Sequence, residues 1–244
     1  MILEMDIGNT RCKWRLIDQQ GTRVTGNAVD RSISIEQQLS SIESGSHVDQ
    51  IRVSSVAGAE FDGLLSTALE SRFGIKPNFA TSDSQTAGVT NSYSQPERMG
   101  VDRWLAMLAA FSAGKGPVMV VDCGSALTID LVDASGLHQG GYIIAGLNMQ
   151  KQVLLQGTDR VRFHQEEIDG SSIKPGCSTA QAVNHGALLT AVGAIEYASQ
   201  DCRDLDDWRC YLTGGDSTTI KNLLSFPVII NQDLVLDGLA LALP

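Results

Sequence analysis

Short apolar runs bounded by turn residues alternate along this chain with longer stretches of helical period. The first 30 residues predict three strands joined by turns, with Gln19-Gln20-Gly21 as the second turn. A helix is expected over 33–44, a strand over 50–56, and an amphipathic helix from Phe61 to Phe73 ended by Gly74. Lys76 to Ala80 reads as a short strand, and the aperiodic polar stretch from Thr81 to Gln95 as a loop. Pro96 to Ala113 reads as a helix entry and helix, because Val101, Trp104, Leu105, Leu108 and Ala109 share one face. Gly114-Lys115-Gly116-Pro117 then breaks the chain and marks a domain boundary.

Beyond the break the pattern recurs. Strands are expected at Val118 to Asp122, Ala126 to Val132 and Gly141 to Ile144, then a helix from Gly146 to Leu155. Gly157 to Gly176 is polar and reads as a loop. Ser178-Thr179-Ala180-Gln181 has the capping-box pattern and opens a helix to about Ala198. On it Gly186 and Gly193 share a face that a neighbouring helix could approach. Trp208 to Thr213 is a strand ending in Gly214-Gly215-Asp216, followed by a short helix, a strand at Val228 to Ile230 and a terminal helix from Asp233. The order β-β-β-α-β-α-β thus occurs roughly twice, which predicts domains at 1–116 and 117–244, with the terminal helix able to pack back on the first.

The repeat sharpens at one motif. Asp6-Ile7-Gly8-Asn9-Thr10 and Asp122-Cys123-Gly124-Ser125 each close an apolar run and lead into a second strand. Such a pair suggests two similar halves facing each other across a cleft, each offering a tight turn to a phosphate. Gly8 is expected to supply positive φ and close backbone approach. Asn9 and Thr10 can donate to phosphate oxygens, and Lys13 on the next strand can place a point charge on a β- or γ-phosphate. Asp6 would act through a metal ion or its water shell. In the second copy Ser125 can donate to phosphate and Asp122 can ligate a cation. A plain hairpin turn is the alternative for each copy taken alone.

Gly100-Val101-Asp102-Arg103 opens a helix. Two readings of Asp102 stand side by side: a carboxylate favoured by the exposed N–H groups of the first turn, or a general base for phosphoryl transfer beside an anion-binding Arg103. Gly214-Gly215-Asp216 could pass under an adenine or ribose, or be an ordinary strand-to-helix turn. His47, His138, His164 and His185 show no metal spacing.

Composition narrows the partners. The chain has 244 residues, 43% hydrophobic and 19% charged, enough for a sizeable core. A net charge of -10 disfavours non-specific nucleic-acid binding, which needs a positive field. The five cysteines show no Cys-X-X-Cys pair and read as reduced residues of a cytoplasmic protein. Neither a leader peptide nor an apolar run of about 18 residues is expected, so no membrane is implied.

Asp6 to Lys13, Gly100 to Arg103 and Asp122 to Thr128, in that order, resemble the motifs Asp-X-Gly-Asn-Thr-X-X-Lys, Gly-X-Asp-Arg and Asp-X-Gly-Thr-Ala-X-Thr of type III pantothenate kinases, members of the acetate and sugar kinase/actin superfamily. The resemblance spans nearly the whole chain. It implies an α/β fold of two ribonuclease H-like (actin-like ATPase) domains in tandem with a central cleft. It implies ATP-dependent phosphorylation of pantothenate, the first step towards coenzyme A, with Mg²⁺ and a monovalent cation (K⁺ or NH₄⁺). By resemblance Asp6, Ile7, Gly8, Asn9, Thr10, Arg11, Cys12, Lys13 and Ser125 contact ATP, Asp102 is the proton acceptor, and Asp122 binds the monovalent cation. Tyr93, Gly100, Val101, Asp102, Arg103 and Thr179 would line the pantothenate site, whose carboxylate could be met by Arg103 or a backbone N–H. Family members are homodimers. Two departures stand out: Ser125 replaces the usual Thr, and Ala145-Gly146 replaces a frequent Pro-Gly. The competing readings are a non-enzymatic regulator on the same fold, or another kinase or phosphatase of the superfamily.

Overall fold

The structure, a computed structural model, describes residues 1–42, 47–114, 116–167 and 170–244. It divides into two compact units, Met1–Ser112 with Asp233–Pro244, and Ala113–Gln232.

The first unit opens with strands β1 (Ile2–Ile7), β2 (Arg11–Ile17) and β3 (Arg23–Asp30). Then come α1 (Ile35–Ser40), β4 (Gln50–Ser55), α2 (Ala59–Phe73) and β5 (Asn78–Phe79). The sheet order is β3-β2-β1-β4-β5, antiparallel on the hairpin side and parallel from β1 to β5. Two-residue alternation divides this sheet into two chemistries. One face carries the rungs Leu3–Leu16–Ile51 and Met5–Trp14–Val53, which join Leu65 and Leu69 of α2 in a dry core. The other carries Glu4–Arg15–Arg52 and Asp6–Lys13–Ser54.

The expected loop over 81–95 contains a small hairpin, β6 (Gln85–Thr86) and β7 (Val89–Thr90). Ala87 and Gly88 both have positive φ at its turn, and Ala-Gly is a weak sequence cue for such a bend. A 3₁₀ turn at Pro96–Arg98 precedes α3 (Val101–Ser112), so the expected single helical entry is broken at Met99-Gly100. Nearly every residue of α3 is buried, as for a helix covered on all sides.

The second unit repeats the plan with β8 (Val118–Cys123), β9 (Ala126–Val132), β10 (His138–Ala145), α4 (Leu147–Gly157), α5 (Thr179–Ala198), β11 (Arg209–Thr213), α6 (Ser217–Lys221) and β12 (Ile229–Ile230). Its order, β10-β9-β8-β11-β12, matches the first sheet strand for strand in position and direction. Met119, Val121, Leu127, Ile129, Cys210 and Leu212 pack against α5 in its core. Ser178 caps α5, accepting from the Gln181 N–H at 3.2 Å, while Gln181 Oε1 accepts the Cys177 N–H at 2.9 Å. The face bearing Gly186 and Gly193 is open: a methyl at either would meet nothing within 4 Å. The chain ends in α7 (Leu234–Ala242), which packs on α3, β1 and β4 of the first unit.

Within the predicted helix over 33–44, α1 ends at Ser40, and residues 43–44 lie outside those described, as do Lys115 of the predicted break and 168–169 of the stretch 157–176.

Candidate active site

The polar face of the first sheet gathers the predicted chemistry at the carboxyl end of β1. Asp6 stands across from Lys13 on β2 and beside Ser54 on β4, whose hydroxyl donates to Asp6 Oδ1 at 3.1 Å. Asp102, in the first turn of α3, lies close enough for its charge to act on Asp6. Burial first, then Asp102, push the Asp6 carboxyl up to about 6, opposed by Lys13 and the Ser54 hydrogen bond. Two carboxylates and one ammonium thus share one small region, an arrangement that pulls proton affinities apart and serves proton transfer.

The raised proton affinity of Asp6 has a consequence of definite sign. The folded chain binds this proton more tightly than the unfolded chain, so the associated stability is present below about pH 4 and is lost as pH rises through 6. Over that window the change is about 2 kcal/mol, since each tenfold difference in proton affinity is worth about 1.4 kcal/mol, reduced for the solvent access Asp6 retains. Asp6→Asn should therefore gain stability relative to wild type between pH 4.5 and pH 7 in paired urea titrations. A difference between the two proteins that does not vary with pH would refute the coupling.

The turn after β1 is tight, with the Gly8 N–H donating to the Arg11 carbonyl at 3.0 Å. Gly8 does not adopt positive φ, contrary to expectation. Glycine relieves a close approach there, since a Cβ would lie 3.3 Å from the Arg11 carbonyl oxygen. Asn9, Thr10 and Arg11 are exposed on the turn. Ile7 and Cys12 are fully buried in the core, so only their backbone can reach a ligand. Burial and the nearby Asp6 push the Cys12 thiol up to about 12, against the pull of Arg31, which makes it inert.

Gly100 and Asp102 are fitted to each other. Asp102 Oδ1 accepts the Arg103 N–H at 2.8 Å, and a methyl on Gly100 would sit 2.6 Å from that oxygen. Glycine at 100 therefore lets the carboxylate fold over the start of the helix. Arg103 is buried; its Nη1 donates to the Tyr93 hydroxyl at 3.1 Å and its guanidinium lies 5.9 Å from the Tyr93 ring centroid. Tyr93 is fixed in turn by its N–H to Asn91 Oδ1 at 3.0 Å. This contact joins two of the residues that the resemblance places at the pantothenate site.

In the second unit the Gly124 N–H donates to the Ala126 carbonyl at 3.1 Å, leaving Ser125 exposed at the tip. The Gly146 N–H holds the Ser125 carbonyl at 3.2 Å, and a methyl at Gly146 would collide with the Gly124 carbonyl. Gly214, with φ of +86°, passes the Asp122 carboxylate so closely that a Cβ would sit 2.5 Å from Oδ1. The Asp216 N–H donates to the Cys123 carbonyl at 3.0 Å. The Asp122, Gly146 and Gly214 segments thus converge. Thr179 is exposed at the first residue of α5, beside a groove of about 490 Å³ lined by Gln150, Leu154, Val161, Val183 and Thr190. Tyr93 and Gly100 to Arg103 belong to the other unit. Among the described residues no three His, Cys, Asp or Glu side chains form a metal cluster, and no described helix is long and apolar enough to cross a membrane.

Comparison with solved structures defines the class. A conserved Campylobacter jejuni protein assigned to the Baf family of transcriptional activators is 22% identical, with a TM-score of 0.60 over 98% of this chain and 95% of that one. A Sinorhizobium meliloti protein assigned as a 2-dehydro-3-deoxygalactonokinase is 12% identical, with a TM-score of 0.61 over 99% and 98%. The fold is that of the actin-like and sugar-kinase ATPases, α/β with two ribonuclease H-like units. The family model for type III pantothenate kinases matches residues 2–201. A type III pantothenate kinase from Pseudomonas aeruginosa is 38% identical over 248 residues, covering 100% of this chain and 99% of the relative. The chain belongs to the type III pantothenate kinase family and is a kinase.

Proposed function

We propose that the protein transfers the γ-phosphoryl group of ATP to the terminal hydroxyl of pantothenate, giving 4'-phosphopantothenate for coenzyme A synthesis. The observation that carries this reading is the grouping of Asp102 with Asp6 and Lys13 on one face of the first unit. Phosphoryl transfer needs positioning and charge stabilisation more than covalent help, and these side chains supply both.

Asp102 accepts the hydroxyl proton and orients the attacking oxygen. Lys13 and the backbone of Gly8 to Arg11 bind phosphate oxygens, with Asn9 and Thr10 as further donors. Ser125 is a further ATP contact. Tyr93, Gly100, Val101 and Arg103 bind pantothenate. Arg103 is the better choice for its carboxylate, because it brings a cationic guanidinium beside Tyr93 and directly follows Asp102. Thr179 completes the acid-binding set.

The donor chemistry fits the ions the family implies. Asp6 and its hydroxyl neighbour Ser54 suit a hydrated Mg²⁺, a hard cation that prefers carboxylate and water. That ion supplies charge neutralisation on the phosphates. Asp122 beside the Cys123 carbonyl and Gly214 offers hard oxygen donors without bulk, which suits K⁺ or NH₄⁺.

The protein works as a cytoplasmic homodimer. Large apolar side chains stand exposed on the second unit, among them Tyr142, Ile143, Met149, Val153 and Leu189, and an exposed apolar surface of this kind favours association. ATP consumption by purified protein, with and without pantothenate and in K⁺ or Na⁺ buffer, tests the reading. Pantothenate-dependent turnover that is higher in K⁺ is expected; turnover independent of pantothenate, or none, would overturn it.

A further inference from the structure

Arg31, just past β3, is packed against the phosphate turn yet has no part in the scheme above. Its backbone N–H donates to the Thr10 carbonyl at 2.9 Å, and its Nη1 donates to the Gly8 carbonyl at 3.1 Å. The guanidinium carbon lies 4.7 Å from the ring centroid of Phe61 on α2. Buried Gln38 of α1 donates through Nε2 to the Arg31 carbonyl at 3.2 Å and to the Ile33 carbonyl at 2.9 Å. The start of α1 is itself fixed by the Ser34–Gln37 capping box. The β1–β2 turn, α1 and α2 therefore all hold this one residue.

Peptide planarity turns that anchoring into an effect on the turn. The peptides of this turn are trans, so each carbonyl points opposite to the next N–H. Holding the Gly8 carbonyl against Arg31 sends the Asn9 N–H to the other side of the turn. Holding the Thr10 carbonyl does the same for the Arg11 N–H. A phosphate needs N–H groups, and a carbonyl presented in their place would repel it. In the second unit the Ser125 carbonyl is restrained by the Gly146 N–H, as the Thr10 carbonyl is by the Arg31 N–H; the side-chain bond from Arg31 to the Gly8 carbonyl is additional to that shared plan.

We infer that Arg31 is a positioning residue for the nucleotide: its guanidinium locks the Gly8–Asn9 peptide, next to the backbone bond that holds the Thr10 carbonyl, so that the Asn9 N–H faces the phosphates. The inference rests on the proposal that this turn binds ATP. Phe61 holds the arginine in place through its ring face, and the cation also reaches the Cys12 thiol next to the turn.

Arg31→Met keeps length and packing on Phe61 while removing the donor and the charge. Calorimetric affinity for ATP should fall about 10-fold, the factor that 1.4 kcal/mol represents. KM for ATP should rise in parallel, with kcat and KM for pantothenate little changed. Arg31→Lys, retaining a cation and a donor, should recover most of the loss. Phe61→Leu should move ATP affinity in the same direction by a smaller factor, and it keeps the test available if the methionine variant fails to fold. Both KM values rising together, or unaltered ATP affinity in the variants while wild type binds, would overturn the inference alone. A wild-type protein that binds no nucleotide would remove the kinase reading and the inference together.

Discussion

Asp102→Asn should cut kcat by about 10²- to 10⁴-fold, the usual contribution of a general base, while nucleotide binding persists. The substitution is nearly isosteric. The amide oxygen can still accept the Arg103 N–H that Asp102 Oδ1 now accepts at 2.8 Å, so the first turn of α3 keeps its cap. What is lost is a group able to take a proton from an alcohol. A second signature separates this loss from a folding defect. The Asp102 charge is one of the two influences that raise the Asp6 carboxyl to about 6. Removing it should move the Asp6 titration down, and with it the acid limb of ADP binding. Turnover within about threefold of wild type, or an acid limb that does not move, would remove Asp102 from the role of base.

The repeat was readable because both halves use the same local code. Asp-X-Gly falls at the end of β1 and again at the end of β8, and the strands around each copy carry period-two alternation. Long strands and the long helices α2, α3 and α5 came through on periodicity. Among the short elements, the strands expected over 76–80 and 228–230 contain β5 and β12, whereas the hairpin within 81–95 was not expected. The β6–β7 hairpin turns on Ala87-Gly88, where Ala87 holds a φ of +47° that its residue type does not announce. The strands β5 and β12 are shorter than the stretches expected, because only two residues of each pair with β4 and β11.

Site residues divided along a similar line. Asp6, Lys13 and Asp102 are legible because carboxylates and a lysine next to glycine have few structural uses. Their mutual proximity was not, since it depends on α3 lying near the carboxyl end of β1, a tertiary fact. Of the two roles expected of Gly8, positive φ is not used; the turn has instead a close approach of Gly8 to the Arg11 carbonyl. The resemblance counted Ile7 and Cys12 among the ATP contacts, yet alternation directs both side chains into the core. Arg31 was missed. Its only sequence signal is a lone arginine after a strand, and its link to Gly8 spans 23 positions.

Glu4→Leu should destabilise the protein by about 3 to 5 kcal/mol, the cost of stranding charges when one member of a buried ion network is removed. Glu4 has no solvent exposure and accepts from Arg15 Nε at 2.7 Å and Arg52 Nη1 at 3.1 Å. Arg52 Nε already lacks a partner among the described residues, so losing Glu4 leaves that buried guanidinium without its carboxylate. Arg15 would keep Asp237 of α7, which it contacts at 2.6 Å, and α7 is further tied by Arg23 to Asp233 at 2.6 Å. Replacing Glu4 and Arg52 together by apolar residues should recover much of the loss, because no charge is then left behind. Urea unfolding of the single and double variants measures both effects. Glu4 lies on the same sheet face as Asp6, two residues away, so proximity alone would assign it to the site. Its carboxylate is instead consumed by two arginines, and the folded fraction of Glu4→Leu should keep the wild-type KM for ATP. A raised KM with unchanged stability would mean that the sheet's polar face is one functional network rather than a site resting on a structural ion cluster.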